Sequence, residues 1–159
     1  MTLTKHHSAI VIAASVMFTL GANMLTGNLA HAALGGTTPP MQARDNAALR
    51  VLGDGTVRVR SSVDAGGTTI NEYASRDGVV FAYAWQGPTM PDLTQLLGPY
   101  AQRYRAKATE QFNESGQLHA SRVEQPDVIV ESGGQMRSYV GRAWLPAAIP
   151  PGVSPNDLR

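Results

Sequence analysis

The sequence predicts an α+β protein: a single antiparallel β-sheet with one interrupted α-helix packed on one face, preceded by an N-terminal signal helix. Three observations carry this reading. Short runs of alternating apolar and polar residues recur on both sides of the chain's middle, bounded by turn-forming dipeptides. One stretch, Leu93 to Tyr104, repeats its apolar residues at steps of three and four. An uncharged apolar run opens the chain behind a basic start.

Lys5, His6 and His7 precede that run, which extends from Ala9 to Leu20 and gives way to Gly21, Asn23, Thr26 and Gly27. It stops well short of the roughly 20 strongly apolar residues a spanning helix needs. Ala30-His31-Ala32 then supplies the small-x-small pattern that signal peptidase reads, with cleavage leaving Ala33 first. The expected organisation is a cleavable signal peptide over residues 1–32, a flexible leader over 33–46, an α+β domain over 47–145 and a proline-rich extended tail over 146–159. A periplasmic or secreted protein follows, with no stable membrane anchor after cleavage.

Removing 32 of the 159 residues leaves about 127, enough for one domain with a modest core. The signal carries one of the 13 basic residues, so the remainder balances its 12 acidic ones. A neutral surface offers no electrostatic footprint for nucleic acid or anionic lipid. The absence of cysteine removes disulfides, thiolate metal sites and thiol catalysis together.

Within the domain, AALRVL and TVRVR flank Gly53-Asp54-Gly55 as a hairpin. A second hairpin joins Thr68–Ser75 to Val79–Gln86 across Asp77-Gly78, with Arg76 opposite Val79. That register places Ile70, Glu72, Ala74, Phe81, Tyr83 and Trp85 on one face, and Tyr73, Val80, Ala82 and Ala84 on the other. Pro91 and Asp92 read as a helix start, and Gly98-Pro99 as an interruption, because proline inside a continuous helix costs about 3 kcal/mol. Leu118–Glu124, Asp127–Ser132 and Gln135–Trp144 read as three further strands, the last two joined by Gly133-Gly134. Pro146, Pro150, Pro151 and Pro155 keep the tail out of any sheet ladder.

The segments EYASRDGVVFAYAWQGPTMPDLTQLLGPY (Glu72 to Tyr100) and DVIVESGGQMRSYVGRAWLPAAIPPGVSPNDL (Asp127 to Leu158), with the Ala33-Leu34-Gly35-Gly36 start, resemble the domain of unknown function 2844 family of small exported proteins of Gram-negative bacteria. The resemblance implies export and a compact domain. It supplies no activity, cofactor or catalytic residue.

The chemistry available is narrow. His119 is the one histidine beyond the signal, no Gly-x-Ser-x-Gly elbow exists, and a transition-metal site or other cofactor is not expected. Asp127 and Glu131 read as solvated strand positions, and Arg103, Arg105 and Lys107 as a helix end complementing the dipole. Glu72 stands out, a carboxylate among aromatic residues, with an ion pair to Arg58 or Arg60 as its expected partner. The expected function is a non-catalytic binding or adaptor domain for a partner protein or envelope component, with Glu72, Phe81, Tyr83 and Trp85 as candidate binding residues unless that face is core. The alternatives are a small periplasmic acid-base hydrolase centred on Glu72, which requires a concave pocket there, and a structural envelope subunit.

Overall fold

The computed structural model describes residues 31–38, 47–52, 55–116 and 120–159. The signal helix, apart from His31 and Ala32, lies outside the described residues, as do Gly53, Asp54 and His119.

Seven strands form one antiparallel sheet: β1 (Ala47–Leu52), β2 (Val57–Val63), β3 (Thr69–Ser75), β4 (Val80–Gly87), β5 (Ala120–Glu124), β6 (Ile129–Gln135) and β7 (Ser138–Trp144). Their order is β1-β2-β3-β4-β7-β6-β5. The chain therefore leaves the sheet at β4, crosses its width as a helix, and re-enters at the far edge before working back to the centre. The helix is interrupted as expected: α1 (Leu93–Leu97), a 3-10 turn (Gly98–Tyr100) carrying Pro99, and α2 (Ala101–Ser115). Asp92 is the cap rather than the first helical residue, its Oδ1 accepting from the amides of Thr94 and Gln95 at 2.8 and 3.2 Å.

Each face of the sheet buries its own apolar cluster. On the first, Leu96, Leu97, Ala101 and Tyr104 of the helix pack over Ile70, Tyr83, Trp85, Val130 and Ala143. On the second, Ile149, Val153 and Leu158 cover Val59, Tyr73, Phe81, Ala82 and Trp144. The proline-rich tail, expected to be extended, runs over the surface through two 3-10 turns, Pro146–Ala148 and Pro155–Asp157, and closes this second core. Leu158 is buried, and the Tyr73 hydroxyl clasps Arg159, accepting from its amide at 2.9 Å and donating to its carbonyl at 2.6 Å.

The N-terminal stretch behaves similarly. Residues 33–38, expected within a flexible leader, form a strap along the start of β4. Gly35 donates to the Val80 carbonyl, Val80 to Gly36, and Thr38 to Gly78, each at 2.8 Å. Leu34 inserts into the first core at 1% exposure. Ordered chain therefore extends beyond residues 47–145 in both directions.

The central hairpin departs from the expected register near its turn. Glu72 opposes Tyr83 and Ile70 opposes Trp85, but Ala74 opposes Val80, with a bulge between Tyr73 and Ala74. The loop is Arg76-Asp77-Gly78 rather than two residues: Gly78, at φ 83°, donates to Ser75 and lets the chain return one residue out of step. The consequence is a swap of faces. Phe81 turns to the second face beside Tyr73, and Val80 takes the first. The β6–β7 hairpin also differs. It turns at Met136 and Arg137, both left-handed at φ 47° and 69°, while Gly133 and Gly134 lie inside β6.

Candidate functional site

The four side chains expected to form a binding face are interior. Glu72 is 1% exposed, Phe81 and Tyr83 0%, and Trp85 2%. The face is core because the helix covers Tyr83 and Trp85, and the bulge sends Phe81 beneath the tail. Close packing is visible at Gly141, opposite Trp85: a methyl group there would lie 2.3 Å from the indole ring. This correction relocates any binding surface.

Glu72 instead organises a buried polar node on the first face, beyond the reach of the helix. Arg60, directly opposite in β2, places a guanidinium nitrogen 3.2 Å from Oε2. Arg60 rather than Arg58 is the partner because, of these two residues on the same face of β2, the register sets Arg60 opposite Glu72 and the exposed Arg58 opposite Ala74. The Tyr83 hydroxyl, opposite in β4, donates to the same oxygen at 2.8 Å. His31 lies above, its Nδ1 3.6 Å from Oε2 and its Nε2 3.2 Å from the Ser62 hydroxyl. The Tyr83 hydroxyl also bonds the Ala32 carbonyl.

Burial alone raises the Glu72 pKa, but the adjacent His31 ring, the hydrogen bond from Tyr83 and the charge of Arg60 outweigh it, holding the carboxyl below its ordinary range. The Tyr83 phenol is pushed upward, first by burial and then by the Glu72 charge. It remains a hydrogen-bond donor. A carboxylate with no exposed side-chain surface is not presented to a substrate.

The other charged residues sit in ordinary surface arrangements. Arg103 pairs with Asp127 at 2.6 Å and Lys107 with Glu110 at 2.7 Å, both exposed. Among the described residues, no group of three or more His, Asp or Glu side chains is arranged to hold a metal, and no helix is long and apolar enough to cross a membrane.

A groove of about 720 Å³ lies on the second face beside Leu158 and Arg159, over β4, β7, β6 and β5. Ala84, Val140 and Leu158 give it an apolar lining. Val140 is 55% exposed. Along one side runs an ionic ladder across neighbouring strands: Arg142 reaches Glu131 at 2.6 Å, and Glu131 also pairs with Arg122. Arg142 simultaneously donates to the Pro155 carbonyl at 2.6 Å, and its guanidinium stands 5.4 Å from the centre of the Trp144 ring. Sequence reasoning missed this groove because its residues are dispersed over four strands and the tail. The alternation of Val140 with Gly141 and Arg142 was the available signal.

A small α+β domain built on one antiparallel sheet, with a buried carboxylate node and an open groove, is the class these features define. The chain belongs to the DUF2844 family of proteins of unknown function, whose match spans residues 30–158 and so includes His31 and Ala32. No curated protein and no solved structure matches the chain.

Proposed function

We propose that the protein is an exported, non-catalytic binding domain that holds an extended segment of a partner protein or envelope component in the groove beside its own tail. One observation carries the reading: the groove continues the bed on which the chain already holds its own proline-rich tail, with Leu158 packed in that bed and lining the groove. The tail demonstrates the chemistry such a bed accepts. Apolar side chains of the tail pack on Tyr73, Phe81, Ala82 and Trp144, and Arg142 donates to the Pro155 carbonyl. A bound segment laid beyond Leu158 would use Ala84 and Val140 as its floor and the Arg142–Glu131–Arg122 ladder as its rim. Export is supported by the basic start, the apolar run and Ala30-His31-Ala32.

The test is site-specific photocrosslinking in cells. A photoreactive residue at Val140 is expected to yield one discrete adduct, and the same residue at exposed Lys107 none. Equal labelling at both positions, or none at Val140, removes the groove from the proposal.

A further inference from the structure

We infer that the α-amino group of Ala33, freed when the chain is cut after Ala32, becomes a buried counter-ion of Glu72. The inference rests on the export reading above. It is carried by a shortage of donors in the uncut chain. Tyr83 has one hydroxyl proton but two acceptors, the Ala32 carbonyl and Glu72 Oε2. Glu72 Oε1 is buried and has no hydrogen-bond partner, and His31 Nδ1 is likewise buried without one. A buried carboxylate oxygen left unpaired is costly, and its neighbourhood points to a missing cationic donor.

Cleavage after Ala32 corrects this imbalance. It removes the competing Ala32 carbonyl and the His31 ring, and it creates an ammonium with three donors at the Ala33 nitrogen. That nitrogen lies about 2.2 Å from the Ala32 oxygen by peptide geometry, hence within about 5 Å of the Tyr83 hydroxyl that bonds it. The carboxylate then has one cation for each oxygen: Arg60 from β2 at Oε2, and the ammonium from the strap at Oε1. Tyr83 from β4 completes the set.

The strap holds the new terminus in place. Leu34 donates to the Leu96 carbonyl at 2.8 Å, and the Ala33 carbonyl accepts from Gly36 at 2.7 Å. Ala33 packs so closely on Gly98 that a methyl group at Gly98 would stand 2.5 Å from the Ala33 side chain. None of these contacts involves a residue that cleavage removes. Processing thus completes the fold: it converts an under-donated node into a closed ionic one and ties the mature end of the chain to the sheet.

The two lysines are Lys5 and Lys107, so the processed chain has two amines, Ala33 and Lys107. The full chain is exported in a Gram-negative host, its mature mass is measured, and each amine's acylation rate is followed by peptide mapping. We expect a mass beginning at Ala33, and Ala33 acylation slowed at least tenfold in the folded protein relative to the urea-unfolded one, with Lys107 changing less than about twofold. The rate–pH profile of the folded protein should place the amine above the usual range of about 7.7–8.0. Folded Glu72→Gln should bring that profile down. A chain that is not cut removes the export reading and the inference together. A chain cut at Ala33 whose amine is as reactive folded as unfolded, or titrates below the usual range, overturns the inference alone. The pH profile needs no variant, so the test stands even where Glu72→Gln fails to fold.

Discussion

Arg60 and Glu72 face each other across β2 and β3, 3.2 Å apart, with 6% and 0% of their side chains exposed. A buried pair of this kind contributes little over apolar replacements of similar volume, because removing two charges from water offsets most of their attraction. Breaking it is different, since the remaining charge stays buried. Arg60→Met is expected to cost about 3–5 kcal/mol in denaturant unfolding, and Arg60→Met with Glu72→Leu to recover most of that loss. A single-variant cost under about 1 kcal/mol would show that the node opens to water.

The same carboxyl sets an acid limit. Burial raises its pKa, but the neighbouring His31 ring, the Tyr83 hydroxyl and the Arg60 charge bring the net shift downward. A depressed folded-state pKa means that the unfolded chain binds the proton more readily. The stabilisation is therefore complete above the unfolded value of about 4.3 and is lost as the pH falls through the lower folded value. The melting temperature should fall below about pH 4 in the native protein, and Glu72→Gln should flatten that part of the profile. The direction is unchanged if an ammonium replaces His31, because the cation also favours the charged form.

The tail is part of the domain's core by the measure of Leu158, 3% exposed against Val153, Trp144 and Ala84. Leu158→Ala is expected to destabilise the whole fold by about 2–4 kcal/mol. Tyr73→Phe, which releases Arg159, should cost about 1 kcal/mol and make the tail more sensitive to protease. If truncating Leu158 leaves the unfolding midpoint unchanged, the tail is an accessory and the groove has no fixed wall.

Local pattern made much of this fold legible. The Asp77-Gly78 turn gave the Glu72–Tyr83 and Ile70–Trp85 register, proline and glycine located the helix interruption, and parity narrowed the partner of Glu72 to Arg58 or Arg60. The misreadings have a common cause in long-range closure. Asp77-Gly78 supports both a two-residue loop and a bulged three-residue one, and only packing against Tyr73 and the tail chooses the form that turns Phe81 over. The strap and the tail lack periodicity because their order comes from Val80, Leu96 and Tyr73, more than forty positions distant in each case. The groove is a gap between such pieces, a property that no short segment encodes.

The β6–β7 turn shows where propensity gave way to geometry, and it offers a stabilising test. Gln135 opposes Ser138 directly, leaving two residues to reverse the chain, and a two-residue hairpin turn needs positive φ at both. Met136 and Arg137 adopt that conformation against their intrinsic preference, at about 1 kcal/mol or more each. The adjacent Gly133-Gly134 would turn more easily, but moving the turn there would slide β7 by six residues along β6 and carry Trp144 and Ala143 past the start of that strand, away from their partners Ile129 and Val130. Register therefore wins over turn chemistry. Met136 is 93% exposed and makes little packing contribution. Met136→Asn with Arg137→Gly should raise unfolding stability by about 1–2 kcal/mol without altering the denaturant slope. A loss of stability would mean that the reversal is made elsewhere than at these two residues.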